Sequence, residues 1–371
     1  MRAGWWRRPE VRDVLAPVVA LRIALLALGG VLGPALAVAL ADVPAELPEW
    51  LRVWNRWDGP HYLDIAARGY DPAGDPALAA FLPLFPALIR VGSFVVPPLV
   101  SAMLISFLAT IGASLALYAL VRRDGGDRAM ARRAVLALNL FPTSFALVAP
   151  YSEALFLALS IGAVLASRVD RWPNAGVLGA LAALARVQGW LLGALLLVEH
   201  LHRHRLGRRT AWALAVGLGP LVFLAINQAA YGDPLFFVGQ QAGHFYHSLT
   251  APWLVIGDLV AGVVRRNDSQ WPMIYLAPLV AYGLLAAVGL WTLRSARSRP
   301  AYAAYVLLAL AVLASVTWPI SAPRYVGAIF PVFLTLADVG RDRRIWLVTM
   351  AVSGGFLLVF TVMFTAGGWA F

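Results

Sequence analysis

The stretch Trp54-Asn55-Arg56-Trp57-Asp58-Gly59-Pro60-His61-Tyr62 packs a carboxylate, an imidazole, a guanidinium, a phenol and two indoles into one short run. It follows the first long apolar segment, where a membrane chain has just left the bilayer. A carboxylate set among indoles at a membrane surface is partly desolvated, which suits it to take a proton from a hydroxyl. Asp58 is that candidate base. Its structural alternative is a cap: Asp before Gly-Pro suits the N-terminus of a helix starting near Gly59 and Pro60. His61 lies three residues on, so a helix places it on the same face. It could bind a phosphate, orient Asp58 or ligate a metal. His244 and His247 belong to another loop, and His200, His202 and His204 to a basic one. No ligand cluster with recognisable spacing emerges, so no metal is expected.

Arginine supplies the second kind of chemistry. Arg186, in Arg186-Val187-Gln188-Gly189, interrupts an apolar hairpin, where a guanidinium is costly unless it faces a polar cavity, an anion or a carboxylate. It can grip a phosphate through two parallel hydrogen bonds, with backbone donors from a helix start at Val187 to Gly189. Its alternative is a structural pair with Glu153. Arg324, in Ala322-Pro323-Arg324-Tyr325, invites the same reading, with interfacial snorkelling as the alternative. Glu153 follows a tight turn, Pro150-Tyr151-Ser152, where it could orient a substrate hydroxyl or sit in the first turn of a helix. No Walker-type loop, Gly-x-Ser-x-Gly elbow, Rossmann fingerprint or zincin helix is present. ATP-driven transport and nucleotide-sugar chemistry therefore find little support.

The elements that position these groups must cross a membrane. The chain has 371 residues, 61% hydrophobic and 13% charged, with mean hydropathy +0.74. Soluble domains carry about a quarter charged residues, so this is an all-α polytopic integral membrane protein. Without cysteine there is no disulfide framework or thiolate nucleophile. All 30 basic residues are arginine, a usage that points to a GC-rich bacterial source. The net charge of +11 is read as anchoring of cytoplasmic loops rather than nucleic-acid binding. No cleavable signal peptide is apparent.

Segments 14–41, 98–121, 134–149, 153–168, 210–231, 272–293, 301–317, 324–339 and 345–366 are candidate spans. Arg22, near the start of the first, is expected to snorkel toward the headgroups. Six groups of arginine (Arg2 to Arg12, Arg122 to Arg133, Arg168 to Arg171, Arg203 to Arg209, Arg294 to Arg299 and Arg341 to Arg344) mark cytoplasmic loops. Segment 81–96 is then an interfacial or re-entrant helix. Segment 173–199, basic at both flanks, must cross twice and turn at Arg186. About 11 transmembrane helices result, with the N-terminus inside and the C-terminus outside. Residues 1–371 form one membrane domain. Its large outer loops are 42–97, which holds Asp42, Glu46, Glu49, Asp58, Asp64, Asp71 and Asp75, and 232–271, whose mixture of Phe236, Phe237, Gln240, His244, Phe245 and Tyr246 suits an interfacial helix.

Several motifs coincide with one family. Trp57-Asp58-Gly59-Pro60-His61-Tyr62, Ala67-Arg68-Gly69-Tyr70 and Phe81-Leu82-Pro83-Leu84-Phe85-Pro86 resemble the first outer loop of the PIG-V-like mannosyltransferases. These are relatives of the second mannosyltransferase of GPI-anchor assembly, within the GT-C superfamily. Asn139-Leu140-Phe141-Pro142 with Ala149-Pro150-Tyr151-Ser152-Glu153-Ala154-Leu155-Phe156 is similar to the second block. Ala185-Arg186-Val187-Gln188-Gly189 is similar to an Arg-x-x-Gly turn, and Pro323-Arg324-Tyr325 to a late Arg-Tyr element.

The resemblance implies a GT-C-like bundle and inverting transfer of a sugar, expected to be mannose, from a polyprenyl-phosphate donor on the non-cytoplasmic face of a bacterial plasma membrane. It maps the proposed base onto Asp58. Arg186, Arg324 and His61 are then expected at the donor phosphate, and Trp57, Tyr62, Tyr151, Glu153, Gln188 and Tyr325 at the substrates, with no metal and no cofactor. A lipid-linked or envelope glycan is the expected acceptor; a bacterial chain would not assemble GPI anchors. The competing expectation is a transporter or lipid flippase, which places charges near the bilayer midplane. A third is a non-catalytic subunit of an envelope-assembly complex.

Overall fold

The computed structural model describes residues 11–36, 47–266, 269–295 and 299–371. Arg2, Arg7, Arg8, Asp42, Glu46 and Arg297, named above, lie outside them, as does the end of segment 14–41. In chain order the α-helices are α1 (Ala16–Leu36), α2 (Glu49–Arg52), α3 (Asp58–Arg68), α4 (Leu84–Gly92), α5 (Pro98–Arg123), α6 (Arg128–Leu140), α7 (Glu153–Arg168), α8 (Trp172–Ala185) and α9 (Leu192–Arg203). They continue as α10 (Arg208–Leu214), α11 (Leu218–Tyr231), α12 (Phe236–Phe245), α13 (Pro252–Arg265), α14 (Ala277–Arg294), α15 (Pro300–Leu313), α16 (Ala322–Gly327), α17 (Pro331–Val339) and α18 (Arg343–Thr365). Among the described residues there is no β-strand; a single antiparallel bridge joins Leu249 to Val316.

Proline explains many of the starts. It occupies the first turn of α5, α8, α13, α15, α16 and α17, where its fixed φ fits and its missing N–H costs nothing. Aspartate caps others: Asp127 accepts from the Met130 N–H at 2.6 Å before α6, and Asp342 from Arg344 and Ile345 before α18.

Among the described residues, five helical runs are long and apolar enough to cross a membrane: Arg12–Leu36, Pro98–Arg123, Arg208–Tyr231, Pro272–Arg294 and Arg343–Thr365. Trp172–Ala185 and Pro300–Leu313 are apolar but shorter. Other expected spans are broken by their own motifs. Segment 134–149 is not one helix, because α6 stops at Leu140 and Phe141 turns extended before Pro142. A 3₁₀ turn, Ser144–Leu147, follows. Segment 324–339 likewise divides between α16 and α17, before Pro331. The expected interfacial piece within 81–96 is α4, too short to cross.

The expected turn at Arg186 is present. α8 ends at Ala185, a 3₁₀ turn covers Val187–Gly189, and α9 runs back. Trp172, at the start of α8, stacks edge-on to His200 near the end of α9 at 4.8 Å, so the two helices are antiparallel.

Most buried hydrophobics form one continuous core spanning α5 to α9, α14, α15 and α17. A second cluster joins α1, α18 and residues 51–54, and a third packs α3 against α4. Arg22 does not snorkel. It is 1% exposed and donates to the Ser144 and Asn139 carbonyls at 2.6 and 2.7 Å and to Asn139 Oδ1 at 3.0 Å. The break after α6 leaves the Asn139 carbonyl without a helical partner, and the guanidinium satisfies it.

Charge gathers at both ends of the bundle. At one end Arg168 bonds Asp124 at 2.9 Å and Glu199 at 2.6 Å. Arg299 reaches the same two carboxylates, and Tyr302 donates to Asp124 at 2.6 Å. Arg128 forks onto Asp13 nearby. The second concentration, at the opposite end, contains Asp58.

Candidate active site

Asp58 is the first residue of α3, and Trp57 occupies the cap position without a side-chain cap bond. The carboxylate therefore does not cap its helix. Oδ2 accepts from Arg324 Nη1 of α16 at 2.6 Å, and Oδ1 has no hydrogen-bond partner among the described residues. The side chain is 24% exposed, so one oxygen is anchored while the other faces accessible space. Trp57 adopts φ 53, ψ −106, a conformation that costs an indole-bearing residue about 1–3 kcal/mol. Its Nε1 donates to the Gly368 carbonyl at 3.3 Å, and its ring meets Trp369 edge-on at 4.9 Å.

Glu153 opens α7, where the helix dipole favours a carboxylate. It is buried, and its Oε1 is shared by Arg186 Nη1 at 2.8 Å and Arg324 Nε at 3.3 Å. Both contacts are ion pairs, and neither Oε1 nor the buried Oε2 has an aligned hydrogen bond among the described residues. Asp58, Arg324, Glu153 and Arg186 thus form one alternating chain of charges. Two cations balance two anions, the arrangement under which buried ions are tolerated. The alternative reading of Arg186, a pair with Glu153, is realised. Arg324 is buried in the bundle rather than snorkelling.

The neighbours hold the guanidinium groups flat. Arg324 lies over the Tyr151 ring at 4.8 Å, and the Tyr325 ring faces both Arg324 at 5.7 Å and Arg186 at 5.5 Å. Gln188 Oε1 accepts from Arg186 Nε at 3.3 Å. Tyr62 is buried, and its hydroxyl meets Ser152 Oγ at 2.9 Å, which in turn accepts from Arg186 Nη1 at 3.1 Å. Burial pushes the Tyr62 phenol far above its ordinary range, so it remains a neutral hydroxyl. Nη2 of Arg186 and of Arg324 have no hydrogen-bond partner among the described residues. Each guanidinium thus has one terminal nitrogen without a described partner, and both are tethered to the same carboxylate oxygen.

The residues singled out from the sequence are brought together to different degrees. Asp58, Glu153, Arg186, Arg324, Tyr151, Gln188, Tyr325 and Tyr62 form one connected cluster. Trp57 is 42% exposed at its rim. His61 lies one helical turn along, its ring 4.9 Å from that of Phe81. No group of three or more potential metal ligands occurs among the described residues.

Two contributors went unrecognised in the sequence. Ser152, named only as part of the tight turn before Glu153, links Tyr62 to Arg186. His247 is close enough to Asp58 and Arg324 to feel both charges, and burial pushes its imidazole below the ordinary range. Its Nδ1 meets Gln241 Oε1 at 2.9 Å. The loop carrying it is strapped to residues 315–317: Ser248 N–H donates to Thr317 Oγ1 at 2.8 Å, and Thr317 N–H to the Ser248 carbonyl at 2.9 Å. In the sequence His247 is only one of two histidines in a separate loop, with nothing adjacent that ties it to Asp58.

Residues 36–206 match the profile of the mannosyltransferase (PIG-V) family, a stretch that includes Asp58, Glu153 and Arg186 but not Arg324. The chain is also similar to two curated proteins called GPI alpha-1,6-mannosyltransferase 2. The one from Cricetulus griseus is 33% identical over 146 residues, covering 36% of this chain and 29% of the relative. The one from Mus musculus is 35% identical over 159 residues, covering 38% of this chain and 31% of the relative. The chain thus spans less than a third of either relative's length. Its helices make the chain a polytopic membrane protein, and its residues 36–206 are similar to the mannosyltransferase (PIG-V) family.

Proposed function

We propose that the protein is an integral-membrane glycosyltransferase that moves mannose from a polyprenyl-phosphate donor to a lipid-linked or envelope glycan, with inversion. The observation that carries this reading is the Asp58–Arg324–Glu153–Arg186 chain, three of whose members fall within the matched segment. Asp58 Oδ1 removes the proton of an acceptor hydroxyl. The acceptor oxygen bonds to the anomeric carbon as the bond to the donor phosphate breaks, and the polyprenyl phosphate leaves with that electron pair. The free Nη2 atoms of Arg186 and Arg324 meet the charge developing on the phosphate. Two guanidinium groups supply the positive charge, so the scheme needs neither metal nor cofactor. We assign Trp57, at the rim, and Tyr325 to sugar contact.

The described arginine groups converge at the end opposite this site. By positive-inside bias that end is cytoplasmic, which supports a site on the non-cytoplasmic side of a bacterial plasma membrane. The rival reading, a transporter or flippase, moves a substrate without changing it covalently.

The test is purified protein given polyprenyl-phosphate mannose and a membrane extract, with products read by mass spectrometry. Asp58→Asn is expected to cut transfer by about 10²-fold or more. Near-normal transfer by the folded variant eliminates Asp58 as the base. Movement of an unaltered lipid supports the rival.

A further inference from the structure

The segment just after α18 touches the site without belonging to it. α18 ends at Thr365, and Gly367, at φ 89, turns the chain back toward the Asp58 loop. Arg56 lies against this turn: its guanidinium carbon would be 3.5 Å from a side chain added at Gly367, and its Nη2 donates to the Thr365 carbonyl at 3.4 Å. The next residues, Gly368 and Trp369, make the two contacts to Trp57 described above. Trp57 is held at φ 53, ψ −106 immediately before Asp58. A bulky residue does not remain in that region by its own preference. Strain of this kind persists only when surrounding contacts over-determine it.

We propose that residues 366–371 are a positioning element for Asp58. By bonding and stacking on the strained Trp57, they set the direction in which α3 starts, and so the aim of the Asp58 carboxylate at Arg324. Trp369 and Gly367 are positioning residues that act through Trp57; neither contacts Asp58, Glu153, Arg186 or Arg324 in any described interaction. Without the segment, residue 57 relaxes to a common conformation. The first turn of α3 then rotates, and the Asp58–Arg324 contact loosens. This inference rests on the proposed role of Asp58, but its geometric half can be read without any substrate.

The chain has no cysteine, so a single introduced thiol reports alone. Asp58→Cys is made in three backgrounds: unchanged, Trp369→Ala and Gly367→Ala. Gly367→Ala adds a methyl that has space, its nearest neighbours lying at 3.5 Å, but at a φ that only glycine adopts easily. The rate of labelling by a charged methanethiosulfonate is measured in detergent, with Ala73→Cys, an exposed position in the same outer loop, as the control. The expected result is a change of about 5-fold or more in labelling at residue 58 in both backgrounds, the control rate being unaltered. In parallel, with Asp58 intact, Trp369→Ala is expected to lower kcat by about 10-fold at unchanged donor KM, and Trp369→Phe to restore most of it.

Unchanged labelling at residue 58 in both backgrounds overturns the proposal. So does Trp369→Ala with normal kcat in a protein that does transfer mannose. Altered labelling with no transfer even by the unmodified protein leaves the positioning intact and sinks the functional reading instead. If Trp369→Ala changes both labelling rates, it has disturbed the fold, and Gly367→Ala and Trp369→Phe decide.

Discussion

Glu153 is the residue on which the charge chain turns, and its removal gives a quantitative test. Its Oε1 contacts two guanidinium groups at 2.8 and 3.3 Å, with side-chain exposures of 8% and 4% on the arginines and 4% on the glutamate. Glu153→Gln keeps the shape and removes the charge. Arg186 then has no carboxylate and Arg324 keeps only Asp58. Breaking a buried pair by removing one partner costs about 3–5 kcal/mol, because the other charge is left uncompensated. The Asp58–Arg324 contact is shorter, at 2.6 Å, but the Asp58 side chain is 24% exposed. Solvent screens it, so Asp58→Asn should cost only about 1 kcal/mol. The double variant Glu153→Gln/Arg186→Gln removes both members of the buried pair. It should destabilise by about 1–3 kcal/mol less than the sum of the single changes. The assay is SDS-driven unfolding in mixed micelles, followed by tryptophan fluorescence. Additivity within about 0.5 kcal/mol, or a larger loss from Asp58→Asn than from Glu153→Gln, would falsify the account of a buried, mutually compensating chain.

Other expectations follow from single positions. Gly59→Ala places a methyl 2.7 Å from Asn55 Oδ1 and 2.9 Å from Pro150 Cγ; the overlap should cost about 1–3 kcal/mol and lower transfer, measured by unfolding and product formation. Arg22→Met leaves the Ser144 and Asn139 carbonyls without their guanidinium, so stability should fall by about 1–3 kcal/mol, and Arg22→Lys should not restore it because an ammonium lacks the fork. His247 has a folded-state pKa below its ordinary value through burial. The unfolded chain therefore takes up this proton first as pH falls. Stability contributed at this site is full above about pH 6.5 and declines on acidification toward the folded pKa. His247→Gln should flatten that dependence, as read by unfolding midpoints across pH 5 to 8; an unchanged slope refutes it.

What the sequence revealed depended on how local the cause was. Arg186 between two basic flanks forces a turn whatever surrounds it, and the hairpin is there. Helix starts at proline and capping aspartate are likewise written in adjacent residues. The residue types of the site were legible because ionisable groups are rare in such an apolar chain. Their pairing was not. Asp58 and Arg324 are 266 positions apart, and Trp57 meets Trp369 across a still longer interval, so neither contact leaves a local trace. Arg22 shows the opposite failure. Snorkelling follows from its position in a span, but the broken helix at Leu140 offers unsatisfied carbonyls, and these compete successfully with the headgroups. That same break is why segment 134–149 is apolar enough for a span and still not one.

α7 has charge fixed at each extremity: Glu153 in the Asp58 cluster and Arg168 in the cluster with Asp124 and Glu199. Its 16 residues rise about 24 Å, whereas the hydrocarbon layer is about 30 Å thick. The helix is thus a strut too short for an undisturbed bilayer, and neither anchor can slide along it without leaving a buried charge unmatched. No residue of α7 is exposed, so neighbouring helices rather than lipid surround it, and in a layer of that thickness one charged cluster lies beneath the headgroup plane. Where that cluster is the one holding Asp58, the proposed lipid-phosphate donor would meet these arginines by lateral approach, without leaving the membrane.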